Sequence, residues 1–125
     1  MRVLLDTHVL LWAVTDSRKL KAPARALLES AEAVYVSAAS IWEVAIKAAL
    51  GKTDADPEAL AKELEPSGFR PLPVTPFHAA RVARLPRHHG DPFDRLLLAQ
   101  ALSEPLILVT ADARLLPYGP FVELI

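Results

Sequence analysis

Leu106-Ile107-Leu108-Val109-Thr110 is the stretch that decides the fold. It has the length of a strand and no polar alternation, which is the pattern of a strand buried on both faces of a parallel sheet. Pro105 in front of it ends the preceding helix. That helix is announced by Asp91-Pro92-Phe93-Asp94, which offers an N-cap, a first-turn proline and an acid at the third position. These signals predict a helix running to about Ser103. On the other side of the strand, a short helix near Ala113 to Leu116 and a last strand at Phe121 to Leu124 finish the chain.

The same alternation extends back to the first residues. Val3 to Leu5 reads as a strand cut off by Asp6, with a helical pattern from His8 to Val14. Pro23 opens a second helix, Val34-Tyr35-Val36 is a second strand, and Ser37 caps a long helix from Ala38 to Leu50 that Gly51 closes. Thr53 to Pro57 is a loop, and Pro57 starts a helix to Leu64. Prolines 71 and 73 confine the extended segment Phe69 to Val74 to a sheet edge, and Pro76 begins a helix to about Leu85. The expected fold class is α/β: a single domain over residues 1–125, built as a three-layer α/β/α sandwich with a mostly parallel central sheet.

Composition narrows the function classes. The chain has 125 residues and no cysteine, which excludes disulfides, thiolate zinc sites and cysteine nucleophiles and fits a cytoplasmic protein. No run approaches the ~18 apolar residues of a membrane span. Fourteen basic residues against fifteen acidic ones leave a net charge of -1, so any nucleic-acid surface has to be local. A 52% hydrophobic content and a mean hydropathy of +0.24 exceed what a small core hides, which predicts a dimer or an obligate partner.

Ligands of open parallel sheets bind beyond the carboxyl ends of the strands. Asp6 and Asp112 follow two of those ends, Asp94 lies in the first turn of the helix feeding the buried strand, and Glu43 stands in the long helix among Ile41, Trp42, Val44 and Ile46. Such converging carboxylates stay ionised only with a cation nearby, and oxygen donors without cysteine or a histidine pair favour Mg²⁺ or Mn²⁺ over zinc. Taken singly, each acid has a structural explanation. Asp6 and Asp112 can cap helices, Glu43 can pair with Lys47 one turn on, and Asp94 can serve the helix dipole. Asp91 is read as a helix cap alone. On physics, the joint metal site and these separate roles are evenly matched.

Four motifs shift the balance: Leu4-Leu5-Asp6-Thr7-His8, Ser40-Ile41-Trp42-Glu43-Val44-Ala45-Ile46-Lys47, His88 through Ala101 with Asp91-Pro92-Phe93-Asp94-Arg95 at its centre, and Val109-Thr110-Ala111-Asp112. In order and spacing they closely resemble the PIN-domain nucleases, and within them the VapC-type toxins of bacterial toxin-antitoxin pairs. The resemblance implies that Asp6, Glu43 and Asp94 are the central metal-holding acids and Asp112 a more peripheral fourth. Thr7, Ser40 and Thr110 would be the supporting hydroxyls.

The resemblance further implies a metal-dependent endoribonuclease with Mg²⁺ or Mn²⁺ as cofactor, leaving 5′-phosphate and 3′-hydroxyl ends. It implies a homodimer restrained by a cognate antitoxin protein. For RNA contact the sequence offers Arg81, Arg84 and Arg87 as a ridge, with Lys47 and Arg95 beside two of the acids; the last two could instead be counter-ions of the cluster. Trp12 and Trp42 are read as core or interface. Two other classes compete: a phosphoacceptor receiver domain, and a PIN-like fold kept as a binding module. The first lacks a strand before the mid-chain acids Asp54 and Asp56, and the second is disfavoured by the full set of four acids.

Overall fold

Each apolar run becomes a strand or a buried helix face in the computed structural model, which describes residues 1–125. β1 (Arg2–Leu5) leads through α1 (Thr7–Val14) and α2 (Ala22–Ser30) to β2 (Ala33–Ser37). α3 (Ala38–Ala49) and α4 (Pro57–Glu63) carry the chain to β3 (Phe69–Leu72). Then α5 (Pro76–Arg81), a 3₁₀ turn (Val82–Arg84) and α6 (Pro92–Ser103) lead to β4 (Ile107–Thr110). A second 3₁₀ turn (Ala113–Tyr118) precedes β5 (Val122–Leu124).

The strand order is β3-β2-β1-β4-β5 and every pairing is parallel, which sharpens the expectation of a mostly parallel sheet. Strand period sorts the core into two layers. Val3, Leu5, Val34, Val36 and Val109 pack on one face against Val9 and Leu10 of α1, Ala24 of α2 and Leu60 of α4. Leu4, Leu108 and Val122 pack on the other against Leu97, Leu98 and Ala101 of α6 and against Leu115. Leu4 and Leu108 are fully buried, so truncating either to alanine costs about 2–5 kcal/mol in lost transfer energy and cavity.

The caps fall where the sequence puts them. The Ser37 hydroxyl accepts from the Ala39 N–H at 3.0 Å, and the Asp91 carboxylate accepts from the Asp94 N–H at 2.9 Å. Gly51 ends α3 at φ +69°, a left-handed conformation that glycine adopts without cost. β3, with Pro71 inside it, is one of the two edge strands. The structure departs from the sequence reading after α5, where the expected helix to Leu85 tightens into a 3₁₀ turn at Val82. Pro86 holds Leu85 extended at ψ 138°, and the Arg95 guanidinium draws on the carbonyls of Val82 and Leu85.

β1 pairs with β2 on one side and β4 on the other. The connections run outward to β2 and β3, then return beyond β1 to β4, so a crevice opens between the carboxyl ends of β1 and β4. α3 touches α1, α4 and α6, which brings its face to that crevice.

Candidate active site

A cleft of about 410 Å³ opens at this switch point, lined by Asp6, His8, Trp12, Glu43, Lys47, Asp91, Asp94, Asp112 and Arg114 among others. All four acids of the sequence reading stand in it. Asp6 reaches it by ending β1, Glu43 by the face α3 turns to α1 and α6, Asp94 by the first turn of α6, and Asp112 by the turn after β4.

Asp6 is only 5% exposed, and burial raises its carboxyl above the ordinary value, with repulsion from Glu43 adding to the effect. The Thr110 hydroxyl opposes this by donating to Asp6 Oδ2 at 2.6 Å. The same hydroxyl oxygen accepts from the Asp112 N–H at 3.0 Å, so one threonine orients one acid and the backbone of another. Beneath Asp6, the buried Thr7 hydroxyl donates to Ser40 Oγ at 2.9 Å and ties α1 to α3. Of the three hydroxyls, Thr110 thus serves an acid directly, while Thr7 and Ser40 bond each other.

Asp94 is pushed up to about 6, chiefly by burial and then by the nearby charges of Asp6 and Asp91. His89 partly offsets this, with Nε2 2.8 Å from Asp94 Oδ2. Asp112 is held below the ordinary value by Arg114, whose guanidinium forks onto both carboxylate oxygens at 2.8–3.2 Å. Asp112 also caps the 3₁₀ turn by accepting from the Arg114 N–H. Glu43 pairs with Lys47 at 3.0 Å, the i,i+4 contact the sequence offered as its structural role.

Five carboxylates therefore face two permanent cations in one cleft. Two of the five are strained upward by desolvation and mutual repulsion. Hard oxygen donors in this state fit a divalent cation, whose charge relieves the repulsion that the two side-chain cations leave.

Residues 3–118 match the family model described as PIN domain. The chain belongs to the PIN-domain family. It is 35% identical over 115 residues to Ribonuclease VapC22 of Mycobacterium tuberculosis, covering 90% of this chain and 88% of that protein. Among solved structures, VapBC2 from Rickettsia felis bound to a promoter DNA fragment superposes with a TM-score of 0.69 at 16% identity. That match covers 100% of this chain and 98% of the other and speaks for the fold. FitAcB from Neisseria gonorrhoeae superposes with a TM-score of 0.59 at 26% identity, over 90% of this chain and 88% of that one.

In this PIN domain the basic residues divide. Lys47 lies in the cleft. Arg87 is exposed and lines a neighbouring hollow with His88 and His89. Arg81 and Arg84 line a separate groove with Phe77 and Ser103, and Ser103 is about 13 Å along α6 from Asp94 at ~1.5 Å per residue. The three arginines therefore form no single ridge. Arg95 turns away from the acids and donates to the carbonyls of Val82, Leu85, Pro86 and His89 and to the Tyr118 hydroxyl. Its guanidinium organises the loop before α6 and neither neutralises the acid cluster nor faces the cleft.

Three residues at or beside the cleft escaped the sequence reading. His89 and Arg114 contact acids directly, and Trp12 forms part of the wall beside His8. Trp12 still packs on the core as expected, while Trp42 is 60% exposed and leans on Phe93, with ring centroids 5.1 Å apart. The adjacency of His88-His89 to the Asp91–Asp94 block was the one available signal for His89. Asp91, read as a cap, is that cap and also borders the cleft.

Proposed function

We propose that this protein is a divalent-metal-dependent endoribonuclease that hydrolyses RNA phosphodiester bonds and acts as the toxin of a toxin-antitoxin pair. The observation that carries the reading is the convergence of Asp6, Glu43, Asp94 and Asp112 on one cleft at the sheet's switch point, in a PIN domain similar to a ribonuclease. Bound among these acids, Mg²⁺ or Mn²⁺ would supply Lewis acidity toward the scissile phosphate and lower the pKa of the attacking water. Asp6, Glu43 and Asp94 are the holding groups, with Asp112 as the outer one.

The rest of the chemistry belongs to the chain. Thr110 holds the Asp6 carboxylate in place at the cleft through Oδ2. Lys47 and the exposed Arg114 guanidinium stand at its rim, where they attract a phosphate backbone, and Arg87 extends that positive edge. No broad basic face is needed, because a local path of cations beside the acids positions one strand. This fits single-stranded or looped RNA. No helix is long and apolar enough to cross a membrane, and a cytoplasmic RNA target accords with that.

The partners proposed are a cognate antitoxin and a second copy of the chain. The antitoxin rests on structural similarity to VapBC2 from Rickettsia felis and to a toxin-antitoxin complex from Klebsiella pneumoniae. The homodimer is supported by the exposed stripe Trp42, Ile46 and Leu50 at four-residue spacing along α3 and its C-cap.

Incubating purified protein with total RNA, with Mg²⁺, with Mn²⁺ or with chelator, tests the reaction. Cleavage that needs the ion, leaves 5′-phosphate ends and is lost in Asp6→Asn and Asp94→Asn is expected. Full activity in chelator, or 2′,3′-cyclic phosphate products, overturns the mechanism.

A further inference from the structure

We infer that His89 is a nitrogen ligand of the metal site, forming with Asp94 and Asp112 a subsite that takes Mn²⁺ or another first-row transition ion in preference to Mg²⁺. The inference rests on the metal-dependent reading of the cleft above. One ligand atom from each of His89, Asp94 and Asp112 lies within 4.8 Å of the other two. An octahedral ion with bonds of about 2.1 Å sets adjacent ligands about 3 Å apart and opposite ligands about 4.2 Å apart. His89 Nε2 and Asp94 Oδ2, at 2.8 Å, already span such an edge. Asp112, within 4.8 Å of both, completes the triangle by moving closer to that edge.

His89 is anchored through its backbone. Its side chain is 10% exposed, its backbone N–H donates to the Tyr118 hydroxyl at 3.0 Å, and its carbonyl accepts from Arg95. Arg95 also takes the carbonyls of Val82, Leu85 and Pro86, so four points of the preceding loop are fixed by one side chain. Asp112 can join because the Arg114 fork that occupies it is mostly exposed and can swing into water without leaving a buried donor unpaired. Asp94 then faces both halves of the cleft, toward Asp6 on one side and toward His89 and Asp112 on the other. A nitrogen donor in place of a fourth oxygen shifts affinity toward borderline transition ions, since Mg²⁺ keeps to oxygen and water.

The test is ion binding by the full chain, without substrate. Mn²⁺ and Mg²⁺ are titrated by calorimetry into wild type, His89→Gln, His8→Gln and Asp6→Asn, and the Mn²⁺ forms are measured by pulsed EPR for nitrogen coupling. His89→Gln should lose about tenfold or more in Mn²⁺ affinity and less than about threefold in Mg²⁺ affinity. Nitrogen coupling should be present in wild type and in His8→Gln and absent in His89→Gln. Wild type without nitrogen coupling, or an equal change for both ions in His89→Gln, overturns the inference while leaving the acid cluster intact. Failure of the underlying reading looks different: wild type binds neither ion, or Asp6→Asn leaves both affinities unchanged.

Discussion

Replacing Asp94 by asparagine should stabilise the metal-free protein at neutral pH and reverse that order once a divalent ion is supplied. The Asp94 carboxyl is raised from 3.8 to about 6, so between those values the native chain keeps a proton that the unfolded chain has released. The stability this group contributes is therefore fully present below its unfolded pKa and is lost as the pH rises through about 6. At about 1.4 kcal/mol per pH unit, ionised Asp94 costs roughly 3 kcal/mol at neutral pH and above. The side chain is only 18% exposed, so solvent screens little of this. Asparagine carries no charge and can still accept a hydrogen bond from His89, which leaves a gain of about 2 kcal/mol after allowing for some relaxation of the site. Urea denaturation in chelator at several pH values between about 5 and 8 reads it directly, with the gap opening as pH rises. Saturating Mg²⁺ or Mn²⁺ stabilises wild type through binding to the native state and should leave Asp94→Asn behind. An asparagine variant equal to or weaker than wild type in chelator at pH 8, or a gap that does not change with pH, would refute the electrostatic reasoning.

Three further outcomes follow from particular contacts. Thr110→Val removes the hydroxyl that serves Asp6 and the Asp112 N–H; it should cost about 1–3 kcal/mol and lower cleavage more than Thr7→Val, compared by chemical denaturation and by turnover. Arg95→Met should destabilise the fold by about 2–3 kcal/mol through its orphaned carbonyls, yet leave the RNA affinity of the still-folded fraction unchanged, whereas Arg114→Met should weaken RNA binding at unchanged stability. Trp42→Glu together with Leu50→Glu should leave a monomer by light scattering at concentrations where wild type is a dimer; a wild type that is already monomeric would remove the support that the α3 stripe lends to the homodimer.

The order of helices and strands was open to reading because it depends on local chemistry. Pro23, Pro57, Pro76 and Pro92 in first helical turns, Ser37 and Asp91 at caps and Gly51 past a helix end act through neighbours a few residues away. The uninterrupted apolar run before Thr110 implied burial on both faces without any knowledge of what lay there. Asp6, Asp94 and Asp112 could be read as neighbours because strand ends and first helical turns in a parallel sheet converge, and Glu43 was added by the resemblance of the quoted motifs to one family.

Tertiary structure decided what each cleft residue does to its neighbours. Arg95 adjoins Asp94 in sequence but faces the other way around α6, toward carbonyls that only the 3₁₀ turn brings within reach. Arg81, Arg84 and Arg87 keep a three-residue spacing that would align them on a continuous 3₁₀ helix, but Pro86 ends the helix and sends Arg87 into a different hollow. His89 meets Asp112 across a loop, a helix and a strand, and Thr110 reaches Asp6 across nearly the whole chain. Pairings over such separations depend on strand order and on desolvation in the cleft, which arise only when β1 and β4 lie side by side.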